Sequence, residues 1–501
     1  MSGIPRPETV APYRLQQLAE LLPAALAGGD AEVTGVTHSS GSVRPGDLYA
    51  ALPGANRHGA EFIADAARSG AVAVLTNPAG RDAALAAGLP VLVADDPRAV
   101  LGAAAAAIYG DPSRRLTMIG VTGTAGKTST SYLVEAGLRA AGLVTGLVGT
   151  VETRIGDLVV KSVRTTPEAT DLQAILAAGL QRGVRAVVME VSSHALVMGR
   201  ADGIRFAAGG YTNFGQDHLD FHPTSEEYFA AKARLFDGRS AVEVLNYDDP
   251  AVMRLCRDKT VTFSAAGDPS ATWRASDISP SAFGQRFLAH GPDGLVVETG
   301  VALPGLHNVA NALLALALLV AVGVDPAVAG RGIADCRGVP GRLEQVLVPG
   351  DVLGVVDYAH KPNAIVAALA ALRELANARG GRLICVIGAG GDRDKGKRPL
   401  MGAAAAQGAD LVIITDDNPR TEDPAIVRAA VRSGAEEAAT ASKIAEVAGR
   451  RAAIDEAVRM AVAGDVIAVL GKGNEQGQEV NGEVLPFDDR IELAAALEGR
   501  P

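Results

Sequence analysis

A chain of 501 residues with 48% hydrophobic content is too long for one hydrophobic core, and three domains are expected. A net charge of −10 argues against a nucleic-acid or anionic-membrane partner, so its anionic ligands are expected to be small molecules. Cys256, Cys336 and Cys385 are odd in number and far apart, which suggests neither a disulfide framework nor a cysteine zinc site and fits a reducing, cytoplasmic setting.

The first ten residues carry prolines and charges where a signal peptide needs an apolar core, and the longest apolar run, residues 312–322, is too short to span a bilayer. A soluble chain is expected. Up to about Asp96, short apolar runs at 33–36, 47–52, 71–75 and 91–93 alternate with Gly/Pro turns and read as a small α/β domain, residues 1–97. Two polar loops follow strands in it, Thr37-His38-Ser39-Ser40 and Pro53-Gly54-Ala55-Asn56-Arg57-His58-Gly59. Ligands bind at such places in open α/β sheets, although taken alone these loops read as solvated. An alanine-rich helix at 97–110 follows, with Pro97 at its start where a missing N–H does no harm.

The second domain, residues 98–340, is centred on Gly120-Val121-Thr122-Gly123-Thr124-Ala125-Gly126-Lys127-Thr128-Ser129. An apolar run precedes it and a helical pattern at 131–140 follows, so strand, glycine turn and helix start form a phosphate cradle. Gly123, Thr124, Ala125, Gly126 and Ser129 line the cradle, Lys127 reaches the distal phosphates, and Thr128 is placed to ligate Mg²⁺. The strict P-loop spacing would put its first glycine at Val121, whereas here it stands at Gly120.

Strand 143–147, the turn Arg164-Thr165-Thr166-Pro167-Glu168, helix 171–180 and strand 186–191 continue a βαβ alternation that implies a parallel sheet. Glu190 at the end of the last strand is the candidate Mg²⁺ carboxylate. Ser193-His194 lacks the G-x-S-x-G elbow of a serine hydrolase. The stretch 211–222 is dense in metal-capable side chains, and a helix at 225–236 carries Lys232 among alanines. A lysine in that setting ordinarily snorkels at the surface, but its place after an acidic, His-containing loop keeps a functional role in view.

In this order, G-V-T-G-T-A-G-K-T-S, T-T-P, E-V-S-S-H, T-N-F-x-x-D-H-L-D-x-H and A-A-K-A-R-L-F resemble the Mur ligases, the ATP-dependent ligases of peptidoglycan precursors. The likeness continues through L-P-G-L-H-N-V-A-N-A at 303–312, G-R-L-E at 341–344 and D-Y-A-H-K-P-N at 357–363. It implies that an acceptor carboxylate attacks the γ-phosphate of ATP to give an acyl phosphate, which an amine then converts to an amide. It further implies that Lys232 is carbamylated, that Thr128, Glu190, His218 and Lys232 surround the metal and phosphates, and that Asn308, Arg342 and Asp357 contact the nucleotide. Lys127, Lys232, His218 and Glu190 are the expected catalytic residues.

From 341 to 501 the alternation restarts as a second, Rossmann-like doubly wound sheet, the third domain. Its polar loops are 388–399, Asp416-Asp417-Asn418-Pro419-Arg420 and Gly471-Lys472-Gly473-Asn474-Glu475; the first lacks the last glycine of G-x-G-x-x-G, because Arg393 stands there. The resemblance implies that D-N-P-R marks the diaminopimelate-adding branch. Arg420 and Arg393 then clamp the distal carboxylate, and Asp417, Asn418, Gly471 and Glu475 surround the distal ammonium, with Pro419 in the same turn. Lysine would leave Arg420 unpaired, an effect that can discriminate by roughly 10⁴-fold.

For the acceptor, UDP-N-acetylmuramoyl-L-alanyl-D-glutamate, the resemblance carries Ser40, Ala55, Asn56 and Arg57 to the uridine diphosphate end. It carries Thr165, Thr166, Ser192 and Arg200 to the muramoyl-dipeptide. Three positions depart from relatives: Ser39-Ser40-Gly41 for Asp-Ser-Arg, Met198 for Gln, and Asn474 for the His of G-K-G-H-E. The sequence leaves meso against LL diaminopimelate open. A monomer using ATP and Mg²⁺ is expected. The rivals are a lysine-adding or folylpolyglutamate-type ligase, and a nucleotide-dependent regulatory switch that leaves the C-terminal arginine loops unexplained.

Overall fold

The computed structural model describes residues 4–54, 56–218, 221–281, 283–438 and 441–500. They pack as two compact units, one of residues 1–276, 288–299 and 310–334, the other of 277–287, 300–309 and 335–501.

Besides the two-stranded pair of Tyr13–Arg14 with Glu32–Val33, the first unit holds a smaller and a larger sheet. The smaller runs Ala25–Ala27, Val91–Val93, Ala73–Thr76, Asp47–Ala51, Gly35–Thr37, parallel except for its first strand. Asp47–Ala51 is buried along its whole length, as a strand covered on both faces must be. Helix Pro97–Ile108 starts where the Asp96 side chain accepts from the N–H groups of Arg98 and Ala99. Its buried alanines share one apolar cluster with the small sheet and with Ala174 and Ala177 of helix Ala169–Gln181.

The larger sheet runs Leu158–Lys161, Glu152–Ile155, Thr145–Val148, Ala186–Glu190, Thr117–Thr122, Phe206–Tyr211, Ser240–Asn246, Val261–Ser264, and Trp273 pairs onto the last of these. From Thr145–Val148 to Val261–Ser264 every pairing is parallel, as the βαβ reading requires. The hairpin Glu152–Ile155 with Leu158–Lys161 is an addition that the short alternation in the sequence did not disclose.

The second unit carries a six-stranded sheet ordered Glu344–Val346, Leu353–Asp357, Val466–Leu470, Leu383–Ile387, Leu411–Ile414, Lys443–Glu446, parallel except for its first strand. The strand order reverses beside Val466–Leu470, the place where doubly wound sheets open a crevice. Arg450 and Asp489, both fully buried, form a bidentate ion pair at 2.7 Å and fasten helix Asp489–Glu498 to helix Arg450–Met460. A hairpin, Gly477–Val480 with Glu483–Pro486, projects after the last buried strand. Among the described residues no helix is long and apolar enough to cross a membrane.

Candidate active site

A glycine follows strand Thr117–Thr122, and the geometry shows why. Gly123 sits at φ +145°, and a Cβ there would lie 1.8 Å from the Thr212 hydroxyl oxygen; one on Gly126, at φ +83°, would lie 2.4 Å from Asn311 Oδ1. Only glycine fits both the backbone and the space. The T-N-F segment laces the loop from the neighbouring strand end: Thr124 N–H donates to the Asn213 carbonyl at 2.8 Å, Ala125 N–H to Asn213 Oδ1 at 3.0 Å, and Thr212 Oγ1 to the Ala125 carbonyl at 2.5 Å. Helix Lys127–Ala140 then begins with no side-chain cap, four residues before the pattern at 131 becomes readable. Its first N–H groups are thus left for an anion, which fits a nucleotide phosphate.

Lys127 Nζ donates to the carbonyls of Gly123 at 2.8 Å and Thr124 at 3.2 Å. Lys232, on helix Ser225–Ala233, donates to the same Gly123 oxygen at 2.7 Å and lies 4.6 Å from the centre of the Tyr228 ring. It does not snorkel: it is 1% exposed. Burial first, and the Lys127 charge second, hold its ammonium well below the usual lysine range, with Asp217 opposing.

Glu190 is paired in register with Val121 and is buried. Its carboxylate accepts from Thr128 Oγ1 at 3.0 Å, from Thr150 N–H at 2.7 Å and from Thr150 Oγ1 at 3.0 Å. Thr166 Oγ1 donates to the Glu190 carbonyl at 2.9 Å and accepts from Ser192 N–H at 3.2 Å, while Thr165 Oγ1 lies 3.0 Å from Thr150 Oγ1. Thr128, Thr165, Thr166, Glu190 and Ser192 therefore form one network of oxygens beside the cradle. Thr150, which completes it, went unnoticed in the sequence because nothing local distinguishes it from a solvated turn residue.

Among the described residues, no three His, Cys, Asp or Glu side chains are grouped to hold a metal. The adjacent hard oxygens of Thr128 and Glu190 nonetheless suit Mg²⁺. His218, at φ +54°, is partly exposed and meets His194 edge-on with ring centres 4.8 Å apart. His222 is buried with Nε2 2.9 Å from Ser193 Oγ.

Arg200 joins a second cluster. Glu168, itself buried, receives Arg200 at 2.9 Å, Arg164 at 2.8 Å and Arg98 at 3.4 Å. Three cations on one carboxylate leave positive charge for an anionic ligand. Arg98 and Arg164 were missed because their convergence on Glu168 is a through-space property. Arg200 Nη2 also lies 3.3 Å from the sulfur of Met198. In the small sheet, Ser40 opens a one-turn helix, Asn56 is exposed, and Arg57 is held by Glu61 at 2.7 Å. Ala55 lies outside the described residues.

In the second unit, Asp357 Oδ2 and Oδ1 accept from the N–H groups of Leu343 and Ala359, both at 2.7 Å, and the Arg342 guanidinium lies 4.7 Å from the Tyr358 ring centre. Burial raises the Asp357 carboxyl above its usual range, partly offset by Arg342. Asn308 Nδ2 donates to the Pro304 carbonyl at 2.8 Å.

Arg420, at φ +52°, donates from Nη1 to the Gly391 carbonyl at 2.7 Å and from Nε to Glu479 Oε2 at 3.1 Å. A Cβ on Gly390 would lie 3.0 Å from Arg420 Nη1 and 3.9 Å from Arg393 Cγ, so both predicted clamps flank one glycine. Asn418 Nδ2 donates to Glu475 Oε2 at 2.9 Å, and the fully buried Lys472 donates to Asn418 Oδ1 and Glu475 Oε2, both at 3.0 Å. Gly471, at φ +119°, has no room for a Cβ, which would lie 2.4 Å from Asp417 Oδ2. Pro419 backs the loop, with its carbonyl against Gly391. Arg420 thus already has a carboxylate partner, and a ligand without a distal carboxylate would not leave it unpaired. The expected discrimination cannot rest on an orphaned guanidinium. Lys472 and Glu479 were the unread residues here; Asn481-Gly482 is a strong hairpin-turn signal and would have located the strand that carries Glu479.

The chain matches the Mur ligase family catalytic domain over residues 32–109, the Mur ligase middle domain over 121–319, and the Mur ligase glutamate ligase domain over 341–473. It is 51% identical to the UDP-N-acetylmuramoyl-L-alanyl-D-glutamate--2,6-diaminopimelate ligase of Streptomyces avermitilis, covering 99% of this chain and 98% of that protein. The enzyme of the same name from Corynebacterium glutamicum is 47% identical, covering 94% and 93%. A solved structure of a ligase with that name superposes with a TM-score of 0.68 at 32% identity, covering 93% of this chain and 95% of that one.

Proposed function

The chain belongs to the Mur ligase family, and from that premise we propose that it joins diaminopimelate to the D-glutamate of UDP-N-acetylmuramoyl-L-alanyl-D-glutamate. It is an ATP-dependent ligase of peptidoglycan-precursor synthesis. Full-length identity to diaminopimelate-adding relatives carries this reading.

The division of labour is part of the proposal. Residues 1–97, 98–340 and 341–501 act as acceptor-binding, ATP-binding and amino-acid-binding domains. The Gly123–Ser129 cradle and Lys127 hold the ATP phosphates, with Asn308, Arg342 and Asp357 on the nucleotide. The glutamyl carboxylate oxygen attacks the γ-phosphorus and ADP departs. The amine nitrogen of diaminopimelate then attacks the acyl carbon, and inorganic phosphate leaves carrying the former carboxylate oxygen. Lys127 offsets the repulsion between the two anions that meet in the first step.

Mg²⁺ would offset charge on the transferring phosphoryl group, and Thr128 and Glu190, with His218 and carbamylated Lys232, would hold it. Thr165, Thr166, Ser192 and Arg200 bind the muramoyl-dipeptide, with Arg98 and Arg164 adding cationic charge. The hydroxyl network on Glu190 supports this placement, because it sets the acceptor-binding threonines beside the phosphate cradle.

The test is oxygen transfer. With ¹⁸O in the glutamyl carboxylate, one labelled oxygen is expected in the released phosphate when ATP, acceptor and diaminopimelate are all present. Unlabelled phosphate alongside amide formation would exclude the acyl phosphate.

A further inference from the structure

Thr150 has no part in the division of labour above, and although it is exposed its position is tightly set. Its turn wraps the Glu190 carboxylate: Gly149 N–H donates to the Glu152 carbonyl at 3.2 Å, and a Cβ on Gly149 would lie 2.4 Å from Glu190 Oε1. The far end of the turn is braced against the cradle helix Lys127–Ala140. Glu152 Oε1 accepts from the Tyr132 hydroxyl at 3.0 Å and lies 3.1 Å from Arg154 Nε, while Arg154 Nη2 pairs with the buried Glu135 carboxylate at 2.7 Å. Tyr132 and Glu135 belong to the helix, and Glu152 and Arg154 to the strand that follows Thr150. This ionic brace fixes where the turn stands beside the cradle.

The direction of each proton then follows from counting. A hydroxyl has one proton to give, and a carboxylate has none. Thr150 Oγ1 donates to Glu190 Oε2 at 3.0 Å, so its proton is spent. Thr165 Oγ1 lies 3.0 Å from Thr150 Oγ1 and is therefore the donor across that pair. It is the single hydrogen bond of the Thr165 hydroxyl among the described residues. With its proton committed, Thr165 keeps only lone pairs for a ligand, so it can receive an N–H or O–H but cannot donate to a carbonyl or carboxylate.

We propose that Thr150 is a positioning residue for the acceptor: it takes the proton of Thr165 and holds that hydroxyl with its lone pairs free for a hydrogen-bond donor of the muramoyl-dipeptide. This role rests on the placement of Thr165 at the acceptor and names the residue that prepares it. An action through Glu190 alone predicts something different. In Thr150→Val the carboxylate would keep the residue-150 N–H at 2.7 Å and Thr128 Oγ1 at 3.0 Å, so the nucleotide side should be little disturbed.

The experiment measures kinetics of the full-length enzyme with ATP, the muramoyl-dipeptide and diaminopimelate. Thr150→Val should raise the acceptor KM about fivefold and leave the ATP KM within about twofold, and Thr150→Ser, which restores the hydroxyl, should recover most of the loss. Thr165→Val should raise the acceptor KM about tenfold, and adding Thr150→Val to it should cost less than about twofold more, because Thr150 acts through Thr165. Losses that multiply in the double variant would overturn the proposal. So would an ATP KM that rises as much as the acceptor KM, an unchanged acceptor KM in Thr150→Val, or a Thr150→Ser variant no better than Thr150→Val. A Thr165→Val variant with the wild-type acceptor KM would remove Thr165 from the acceptor site, refuting the reading beneath the proposal and the proposal with it.

Discussion

Lys127 and Lys232 donate to one and the same oxygen, the Gly123 carbonyl, at 2.8 and 2.7 Å. Two ammonium groups converging on one neutral acceptor repel each other, and the buried member yields: Lys232 is pushed well below the ordinary lysine range, chiefly by burial and then by Lys127. A neutral amine is the form that adds carbon dioxide, so this geometry favours the carbamate that the family resemblance implies.

Lys232→Ala is therefore expected to lose about 10³-fold in phosphate release, with partial recovery on adding short carboxylic acids that replace the missing carboxylate. Normal turnover would exclude the carbamate role. Lys232→Met should be inactive but melt no lower than wild type, since a buried group whose charged form is penalised by burial and by Lys127 is exchanged for an apolar chain of similar volume. The sign with pH follows. Below 10.5 and above the depressed folded value, the unfolded chain binds more protons, so the Lys232 contribution to stability rises with pH. The melting-temperature gap between Met variant and wild type should narrow as pH increases across that window.

Glu190→Gln keeps the shape of the network that Thr128 and Thr150 make but removes its charge. We expect kcat to fall by about 10²-fold to 10³-fold with little change in melting temperature. Thr128→Val should raise the Mg²⁺ concentration needed for half-maximal phosphate release. A magnesium titration of both variants checks the pair, and wild-type titrations in both would exclude the assignment.

Gly123→Ala must place a methyl group 1.8 Å from the Thr212 hydroxyl oxygen at a φ of +145°. Loss of about 2 kcal/mol or more and loss of ATP binding are expected. Gly142→Ala, at φ +77° with nothing within 4 Å of its Cβ, should lose about 1 kcal/mol and bind ATP normally. Thermal melts with and without ATP separate the two.

Arg420→Ala should raise the diaminopimelate KM by about 10²-fold while the ATP KM stays within about twofold. Equal effects on both would remove Arg420 from the amino-acid site.

Asp489→Asn leaves the fully buried Arg450 without its counter-charge. Such a broken buried pair costs about 3–5 kcal/mol. Denaturant unfolding should show the loss.

Much of the fold was legible because parallel strands buried on both faces are continuous apolar runs. Strands Leu383–Ile387 and Val466–Leu470 are two such runs, buried along their whole length. Helix Lys127–Ala140 was read late because its first turn is polar and carries no apolar period. The edge hairpins were missed because short, half-exposed strands alternate weakly.

The linear order of residues determined the glycine turn, the carboxylate at the end of strand Ala186–Glu190 and the arginine loops, since each is local chemistry set by spacing and by glycine's freedom at positive φ. Tertiary structure alone decided that Lys232 is desolvated beside Lys127, that Arg98 and Arg164 join Arg200 on Glu168, and that Arg420 meets a carboxylate 59 residues away. Burial and charge proximity depend on neighbours in space, and no stretch of sequence carries its neighbours with it.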